Sequence, residues 1–263
     1  MSIPVPFGQF VPGDSVVHAL DARAKLGVTA ALTVTLFVVG GWTGLVAVGV
    51  VVGLLLTASR VPFGIALCGT KTVMWLMLFT VLANALRWNP AEALLRVGPV
   101  AVVGPGLLRG LFFGFRILLL VMTTSLVTLT TSPVALTDAL SSIMRPLRVV
   151  RVPVDDVATM LSIALRFVPT TAEEAERIVV AQSARGARFD EGGLLARARA
   201  WVPVLVPLFV KLFRRADSLA LAMESRCYSG SGRTRLHEPV MRTSDWLALA
   251  ASVAFAVAAG LLL

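Results

Sequence analysis

The sequence predicts an all-α integral membrane protein with about five transmembrane helices and three further helices between the fourth and the fifth. Composition is the first reason. Of the 263 residues, 57% are hydrophobic and only 15% are charged, whereas a typical soluble domain has about 25% charged residues. The second reason is a set of apolar runs close to the roughly 20 residues that cross a bilayer as a helix. The third is the stretch 133–242, which carries 16 of the 24 basic residues and 11 of the 15 acidic ones.

Five apolar segments are the predicted transmembrane helices. In chain order they are Leu26 to Val39, Trp42 to Ser59, Phe63 to Leu86, a run within Val100 to Thr131, and Trp246 to Leu263. The charged stretch separates the fourth segment from the fifth. The sequence therefore divides into a membrane part at 1–132, a charged region at 133–242 and a last transmembrane helix at 243–263.

Basic residues indicate the orientation, because positive loops stay on the cytoplasmic side. Arg23 and Lys25 precede the first segment, Arg60 follows the second, and the charged region follows the fourth, so all three positions fall on one side. Arg87 and Arg96 fall on the other side and are exceptions. We expect the N-terminus and the charged region to face the cytoplasm. We attribute the net charge of +9 to basic cytoplasmic loops and not to nucleic-acid binding.

The sequence of the charged region predicts three helices on the cytoplasmic side. Ser132 followed by Pro133 is a helix start, with a capping residue before a proline at the first helical position, and this helix ends near Pro146. A second helix begins at Pro153 and keeps one apolar face by helical spacing up to the stretch AQSARGARF. The third begins after Gly193 and ends near Arg226.

Two similar motifs end the second and third of these helices: Ala184-Arg185-Gly186 and Ser225-Arg226-Cys227. Taken alone, each is a helix C-terminus, where the dipole favours a cation and glycine adopts the left-handed cap. Repetition on consecutive helices favours a second interpretation. Each arginine is then an anchor whose guanidinium makes paired hydrogen bonds to carboxylates of a partner.

Four stretches of the chain, in order, carry a resemblance to a known family. They are PGDSVVHALDARAKL (Pro12 to Leu26), LTDAL (Leu136 to Leu140), VPVDDVATMLSIALRFVPTTAEEAERIVVAQSARGARF (Val152 to Phe189) and VPVLVPLFVKLFRRADSLALAMESRCYSGSGRTRL (Val202 to Leu236). The chain resembles the transmembrane T component of energy-coupling factor transporters, which are modular importers of vitamins and metal ions.

The resemblance implies partners and a place for each motif. In that family, helices ending in Ala-Arg-Gly motifs are coupling helices, and each docks on one of two cytoplasmic ATPase subunits. Ala184, Arg185 and Gly186 match the motif intact, whereas Ser225 and Cys227 depart from it around Arg226. A separate membrane-embedded S component holds the substrate there. The resemblance also implies a multi-pass protein of the bacterial inner membrane.

An enzymatic role is not predicted. The sequence contains no Gly-Lys dipeptide and so has no phosphate-binding loop of the usual kind. We expect ATP and magnesium to be bound by the partner ATPases and no cofactor or metal to be bound by this chain. The cysteines, Cys68 and Cys227, are interpreted as small packing residues.

Further residues are candidates for partner contact. The apolar middle of the third helix is expected to engage the S component; its candidates are Trp201, Val202, Leu205, Leu208 and Phe209. Lys71, Arg109 and Arg116 interrupt apolar segments, and a charge within a membrane helix is a candidate functional site. For these three cations, packing or partner contact is favoured over a substrate site.

Two other functions stay open at this point. A conventional ABC permease subunit would carry the substrate path in this chain. An intramembrane lipid-modifying enzyme would use acids such as Asp155, Asp156, Glu173 and Glu174, since carboxylates at a bilayer face can hold a magnesium ion. Against this, the acids are sequence neighbours, and Glu173 has the i,i+4 spacing of a salt bridge with Arg177.

Overall fold

The computed structural model describes residues 10–61, 64, 70–88, 95–97, 100–102, 104–150, 153–228 and 240–262. In these residues the chain is almost entirely helical, and the predicted all-α class is confirmed. The helices are α1 (Val16–Ala19), α2 (Ala22–Val38), α3 (Trp42–Ser59), α4 (Thr70–Ala85), α5 (Gly104–Thr130), α6 (Pro133–Ile143), α7 (Val154–Ala184), α8 (Leu194–Glu224) and α9 (Thr243–Leu262), with a 3-10 helix at Arg145–Val150.

Three helices in the described part of the chain are long and apolar enough to cross a membrane: Trp42–Ser59, Gly104–Thr130 and Thr243–Leu261. They coincide with the second, fourth and fifth predicted segments, so the membrane class is confirmed. The first predicted segment lies on α2, a helix of 17 residues. The third corresponds to α4, whose apolar part is Val73–Ala85; residues 63 and 65–69 of that segment lie outside the described residues.

The chain divides into two compact units. Among the described residues, the membrane unit comprises 10–136 and 240–262, and the charged unit comprises 137–228. The three sequence segments 1–132, 133–242 and 243–263 stay a prediction.

The tightest packing in the membrane unit is between α4 and α5. Three glycines of α5, Gly106, Gly110 and Gly114, are spaced four residues apart and face α4, and a Cβ added to any of them would lie within 3 Å of an α4 atom. A Cβ added to Gly106 would lie 2.4 Å from the carbonyl oxygen of Asn84, and one added to Gly110 would lie 2.9 Å from Cα of Val81. Small residues at this spacing let two membrane helices approach backbone to backbone. This motif was not predicted from the sequence.

The apolar core of the membrane unit lies among α2, α3 and α5. Its buried members are Leu32, Leu36, Leu45, Val48, Val52, Phe112 and Met122. Close-packed apolar side chains of this kind contribute dispersion contacts along their whole length. The core therefore fixes α5, the helix that leads through Thr130 into the charged region.

Buried polar groups tie the ends of several helices together in the same unit. The Lys25 ammonium donates hydrogen bonds to the carbonyl oxygens of His18 (3.2 Å) and Thr130 (2.9 Å), at the ends of α1 and α5, where carbonyls have no helical partner. The Asp245 carboxylate, only 2% exposed, accepts a hydrogen bond from the Asp21 amide at 3.0 Å. The start of α9 is thereby held to the start of α2.

A small antiparallel sheet in the membrane unit was not predicted from the sequence. Its strands are β1 (Leu86–Trp88), β2 (Leu95–Val97) and β3 (Val100–Val102), in the order β1–β3–β2. Each strand has only three residues, which is too short for an alternating pattern to be recognised. The strands lie between α4 and α5 in the chain. They are too short to change the all-α class.

The helices of the charged region begin and end where the sequence predicts. The hydroxyl of Ser132 accepts a hydrogen bond from the Ala135 amide at 3.2 Å, so the predicted cap of α6 is confirmed. Helix α7 starts after Pro153 with Asp155 and Asp156 in its first turn, where carboxylates suit the positive end of the helix dipole. Helix α8 starts after Gly193.

Candidate functional site: two helix ends with a common turn

The first candidate motif closes α7. Ala184 is the last helical residue, Arg185 is its C-cap, and Gly186 has a φ of +89°. The Gly186 amide donates a hydrogen bond to the Ser183 carbonyl oxygen (2.9 Å). The Ala187 amide donates one to the Gln182 carbonyl oxygen (3.0 Å). This pair of bonds is the Schellman arrangement, which satisfies carbonyls that the helix leaves unpaired.

The second candidate motif closes α8 with the same bonds. Ser225 follows the last helical residue, and Cys227 has a φ of +56°. The Cys227 amide donates a hydrogen bond to the Glu224 carbonyl oxygen (2.9 Å). The Tyr228 amide donates one to the Met223 carbonyl oxygen (3.0 Å). Although cysteine stands in place of glycine, the turn is the one found after α7.

Both arginines occupy the same position in these turns. Arg185 and Arg226 each directly precede the residue with positive φ, and both are exposed. Within the described part of the chain, neither guanidinium has a hydrogen-bond or ion-pair partner. Each is therefore free to meet a carboxylate supplied from outside.

The neighbouring arginine of the first motif behaves differently. Nη1 of Arg188 lies 2.7 Å from Oε2 of Glu191, in an ion pair within the turn between α7 and α8. In the same turn, the ring of Phe189 contacts that of Trp201, with 5.0 Å between centroids. Arg188 therefore shapes the turn, and Arg185 is the one of the two arginines that stays available.

Helices α7 and α8 run antiparallel, because their contacts pair later residues of α7 with earlier residues of α8. Nε2 of Gln182 lies 3.4 Å from the carbonyl oxygen of Pro203, which is free because Pro207 has no amide to donate to it. Further along, Nη1 of Arg215 lies 3.1 Å from the hydroxyl of Thr170. The C-termini of the two helices thus lie at opposite ends of the pair.

The separation of the two motifs follows from the length of α8. The helix has 31 residues, and at about 1.5 Å per residue it is about 45 Å long. Arg185 follows Gln182, which lies beside Pro203, by three residues. Arg226 follows Pro203 by 23 residues, so the two arginines are about 40 Å apart along the helix pair. Such a distance excludes a single small site that contains both arginines.

One further ion pair joins the two helices midway, between the Lys211 ammonium and the Glu174 carboxylate. The hydrogen bond from Lys211 is the main reason that the pKa of Glu174 lies below its usual value, and the charges of Lys211, Arg177 and Arg215 act in the same direction. The pair therefore stabilises the contact at neutral pH and is lost as the pH falls through that lowered pKa. The Glu173–Arg177 pair that the spacing suggested is not formed in the described structure.

The candidates for S-component contact divide into two groups. Trp201, Val202, Leu205 and Phe209 are between 43% and 55% exposed, so α8 presents an apolar surface in which Trp201 also contacts Phe189. Leu208 is half-buried and lies with Lys211 beside α7. Leu208 is therefore assigned to the contact between the two helices.

The acids of the lipid-enzyme alternative do not converge. Asp155 and Glu173 are 18 residues apart on the one helix α7, which is a distance of about 27 Å. Glu174 is already paired with Lys211. In the described residues, no group of three or more histidine, cysteine or acidic side chains could hold a metal ion.

An apolar cavity of about 320 Å³ in the membrane unit bears on the permease alternative. Its walls are aliphatic side chains of α2, α3, α5 and α9, with Lys25, Thr29, Thr123 and Ser252 among them. The Lys25 ammonium is already bonded to two carbonyl oxygens. The cavity thus offers no unpaired charge to a polar or ionic substrate.

The intramembrane cations have distinct surroundings. One Nη atom of Arg116 donates to the carbonyl oxygen of Val39, and the guanidinium lies over the ring of Phe112, 4.7 Å from its centroid. Arg116 therefore packs in the membrane unit. Arg109 is exposed. Lys71 lies in α4, and its side chain is outside the described structure, as is Cys68. The packing interpretation of Cys227 is wrong, because this cysteine is exposed at the α8 turn.

The common turn predicts opposite effects of two substitutions. We expect Gly186→Ala to lower the free energy of unfolding of the charged unit by about 1 kcal/mol, because a Cβ disfavours positive φ. Cys227→Gly should raise it by about 0.5–1 kcal/mol for the same reason. Unfolding in mild detergent followed by circular dichroism measures both. The control is Gly193→Ala, at a residue with φ of −72° and open space around it; equal losses for both glycines would contradict the assignment.

Comparison with known proteins gives a consistent result. Residues 13–237 match the family described as CbiQ, cobalt transport protein. The chain is 46% identical over 250 residues to the energy-coupling factor transporter transmembrane protein EcfT of Thermanaerovibrio acidaminovorans, covering 95% of this chain and 93% of the relative. It is 42% identical to that of Thermosediminibacter oceani, covering 96% of each chain, and 40% identical to that of Bacillus subtilis, covering 90% of each.

Proposed function

The chain belongs to the CbiQ family of transport proteins, with the transmembrane proteins of energy-coupling factor transporters as its relatives, and from this premise we propose that it is the coupling subunit of such a transporter. It transmits the motion of two cytoplasmic ATPase subunits to a membrane-embedded S component that binds a vitamin or metal ion. The chain itself catalyses no reaction. ATP and magnesium are bound by the ATPases, and nucleic acid is not a partner.

The observation that carries this proposal is the pair of matched helix ends. Two turns of one geometry each present an exposed arginine without an internal partner. At about 40 Å apart, the two arginines suit two separate subunits better than two contacts with one site. A guanidinium recognises a carboxylate through paired hydrogen bonds, so each ATPase subunit is expected to supply an acidic groove.

The connection between the arginines suits transmission of motion. Helices α7 and α8 are held together by Gln182 with Pro203, Glu174 with Lys211 and Thr170 with Arg215. Contacts spread along both helices make the pair move as one body, so that a shift at one end moves the other. The exposed apolar surface around Trp201 and Phe209 is the proposed contact for the S component.

The topology in this proposal follows the basic residues. The N-terminus and the charged unit face the cytoplasm, and several helices cross the bacterial inner membrane. A conventional ABC permease is the second candidate, and the apolar cavity beside Lys25 is the only support for it among the described residues. The two candidates differ in whether uptake requires another small membrane protein.

Affinity purification tests the proposed function. The chain, tagged at its C-terminus and extracted from its native membrane in mild detergent, should bring along ATPase subunits at two copies per chain and a small apolar membrane protein. Mass spectrometry identifies them and gives their ratio. Purification with ATPases alone, together with substrate transport by that complex after reconstitution, would favour the permease and contradict the proposal.

A further inference from the structure

A cleft of about 480 Å³ lies in the membrane unit at the end where α2 finishes and α3 begins. Aromatic rings form much of its wall: Trp42 of α3 with Phe112 and Phe113 of α5. The rings pack edge to face, with 5.6 Å between the centroids of Trp42 and Phe112. Arg109 is the one charged side chain on the wall of this cleft.

Two arginines of α5, seven residues apart, have different surroundings at this end of the membrane unit. Arg116 closes the end of α2, where it donates to the carbonyl oxygen of Val39. Arg109 lies two helical turns, or about 10 Å, from Arg116 towards the start of α5, and one turn beyond Phe112, whose ring contacts that of Trp42. It is exposed and has no partner among the described residues.

The sequence provides almost no counter-charge for this arginine. Residues 22–137 contain eight basic residues and a single acidic one, Glu92. No acidic residue occurs in α2, α3, α4 or α5. An exposed guanidinium close to apolar membrane helices is therefore an open site for an anion that comes from outside the chain.

Depth and surface chemistry favour one kind of anion. Tryptophan is enriched at the level of lipid headgroups, and Trp42 stands at the first position of a predicted membrane helix with an indole N–H that has no acceptor in the described structure. Next to Arg109 the surface is apolar, with Leu108 at 58% and Phe113 at 41% exposure. A phospholipid matches this arrangement, with its phosphodiester at the guanidinium and its chains along the leucine and phenylalanine.

We propose that the cleft between Trp42 and Arg109 is a phospholipid site. Arg109 binds the phosphodiester oxygens, the Trp42 indole donates to the same headgroup, and Phe113 supports the acyl chains. The site is independent of the ATPase-docking arginines, since it lies in the membrane unit and uses none of their residues. It requires only that the chain sits in a bilayer.

Native mass spectrometry of the purified full chain, with whatever subunits come with it, tests this site. Detergent-exchanged protein is titrated with a short-chain phosphatidylglycerol, and bound lipids are counted at each concentration. We expect Arg109→Gln to weaken the tightest lipid by about tenfold, because it removes a charge-assisted contact with the phosphate. Arg109→Lys should retain part of the affinity, since the charge stays and the paired geometry is lost. Trp42→Phe should weaken binding less than Arg109→Gln.

The control is Arg60→Gln, which removes an exposed arginine at the opposite end of α3. Equal loss with Arg60→Gln and Arg109→Gln would overturn the proposal, since the lipid would then respond to net charge alone. Displacement of the lipid by inorganic phosphate at similar concentration would also overturn it, by indicating a free-anion site. A third contrary result is unchanged lipid binding by Arg109→Gln together with loss of a membrane partner, which would assign the cleft to a protein.

Discussion

Charge reversal at both helix ends, Arg185→Glu with Arg226→Glu, is expected to abolish co-purification of the ATPase subunits. Each arginine is exposed and unpaired within the described structure, so its proposed partner is an acidic group of an ATPase. Loss of one member of such a buried, charged contact typically costs 2–5 kcal/mol, which is at least about 30-fold in affinity. Reversal adds repulsion to this loss, and two sites multiply the effect.

The single substitutions sharpen this expectation. Arg185→Glu and Arg226→Glu should each leave a weakened complex, because one of the two contacts remains. A matched control is Arg197→Glu with Arg214→Glu, which changes the net charge equally at two exposed positions of α8. Pull-down of tagged ATPase, with circular dichroism to verify the helices, compares the variants. Normal ATPase retention by the Arg185 and Arg226 double variant, or equal loss in the control, would rule out the docking assignment.

The largest loss of stability is expected from Gly110→Leu in the membrane unit. A Cβ at Gly110 would lie 2.9 Å from Cα and 3.0 Å from the carbonyl oxygen of Val81. These are backbone atoms of α4, so the two helices must separate to make room. Overpacking of a well-packed interface costs about 1–3 kcal/mol, and loss of the close helix contact adds to it. Gly110→Ala should give a smaller loss of the same kind.

Gly53→Leu is the control for this second expectation. Gly53 lies in α3, another membrane helix, and a Cβ there would meet nothing within 4 Å. Heating in detergent followed by size-exclusion chromatography measures the fraction that stays monodisperse. We expect a clear fall for Gly110→Leu and little change for Gly53→Leu. Similar curves for the two variants would show that the contact of α4 with α5 does not limit stability.

Local signals in the sequence were sufficient for the helices of the charged region. The start of α6 at Pro133 and that of α8 after Gly193 follow from capping and turn residues, whose preferences depend on neighbours in the chain. Both arginine motifs also coincide with helix ends. The cysteine at the second motif raised the question of a different turn there. The structure answers it, because Cys227 adopts positive φ and the two hydrogen bonds are the same.

Contacts between distant segments could not be predicted from a single sequence. Spacing suggested that Glu173 pairs with Arg177 one turn away, whereas its neighbour Glu174 pairs with Lys211 of the next helix. The glycines of α5 can be read from the sequence, but their role in packing depends on α4 lying against them. The same holds for Arg109 and Trp42, which come together only when α3 packs beside α5. In each case the missing information is which helix faces which.

Photocrosslinking from both helix ends of one molecule tests whether the two arginine motifs dock on two different ATPase subunits. A photoreactive residue is placed at Ser183 and at Glu224, two residues before each arginine and exposed, and the complex is illuminated and denatured. We expect a product with the mass of this chain plus two ATPase subunits. Each single-site variant should give the chain plus one subunit. Crosslinks from both positions to one and the same ATPase copy, or to membrane proteins only, would rule out docking of the two motifs on two ATPase subunits.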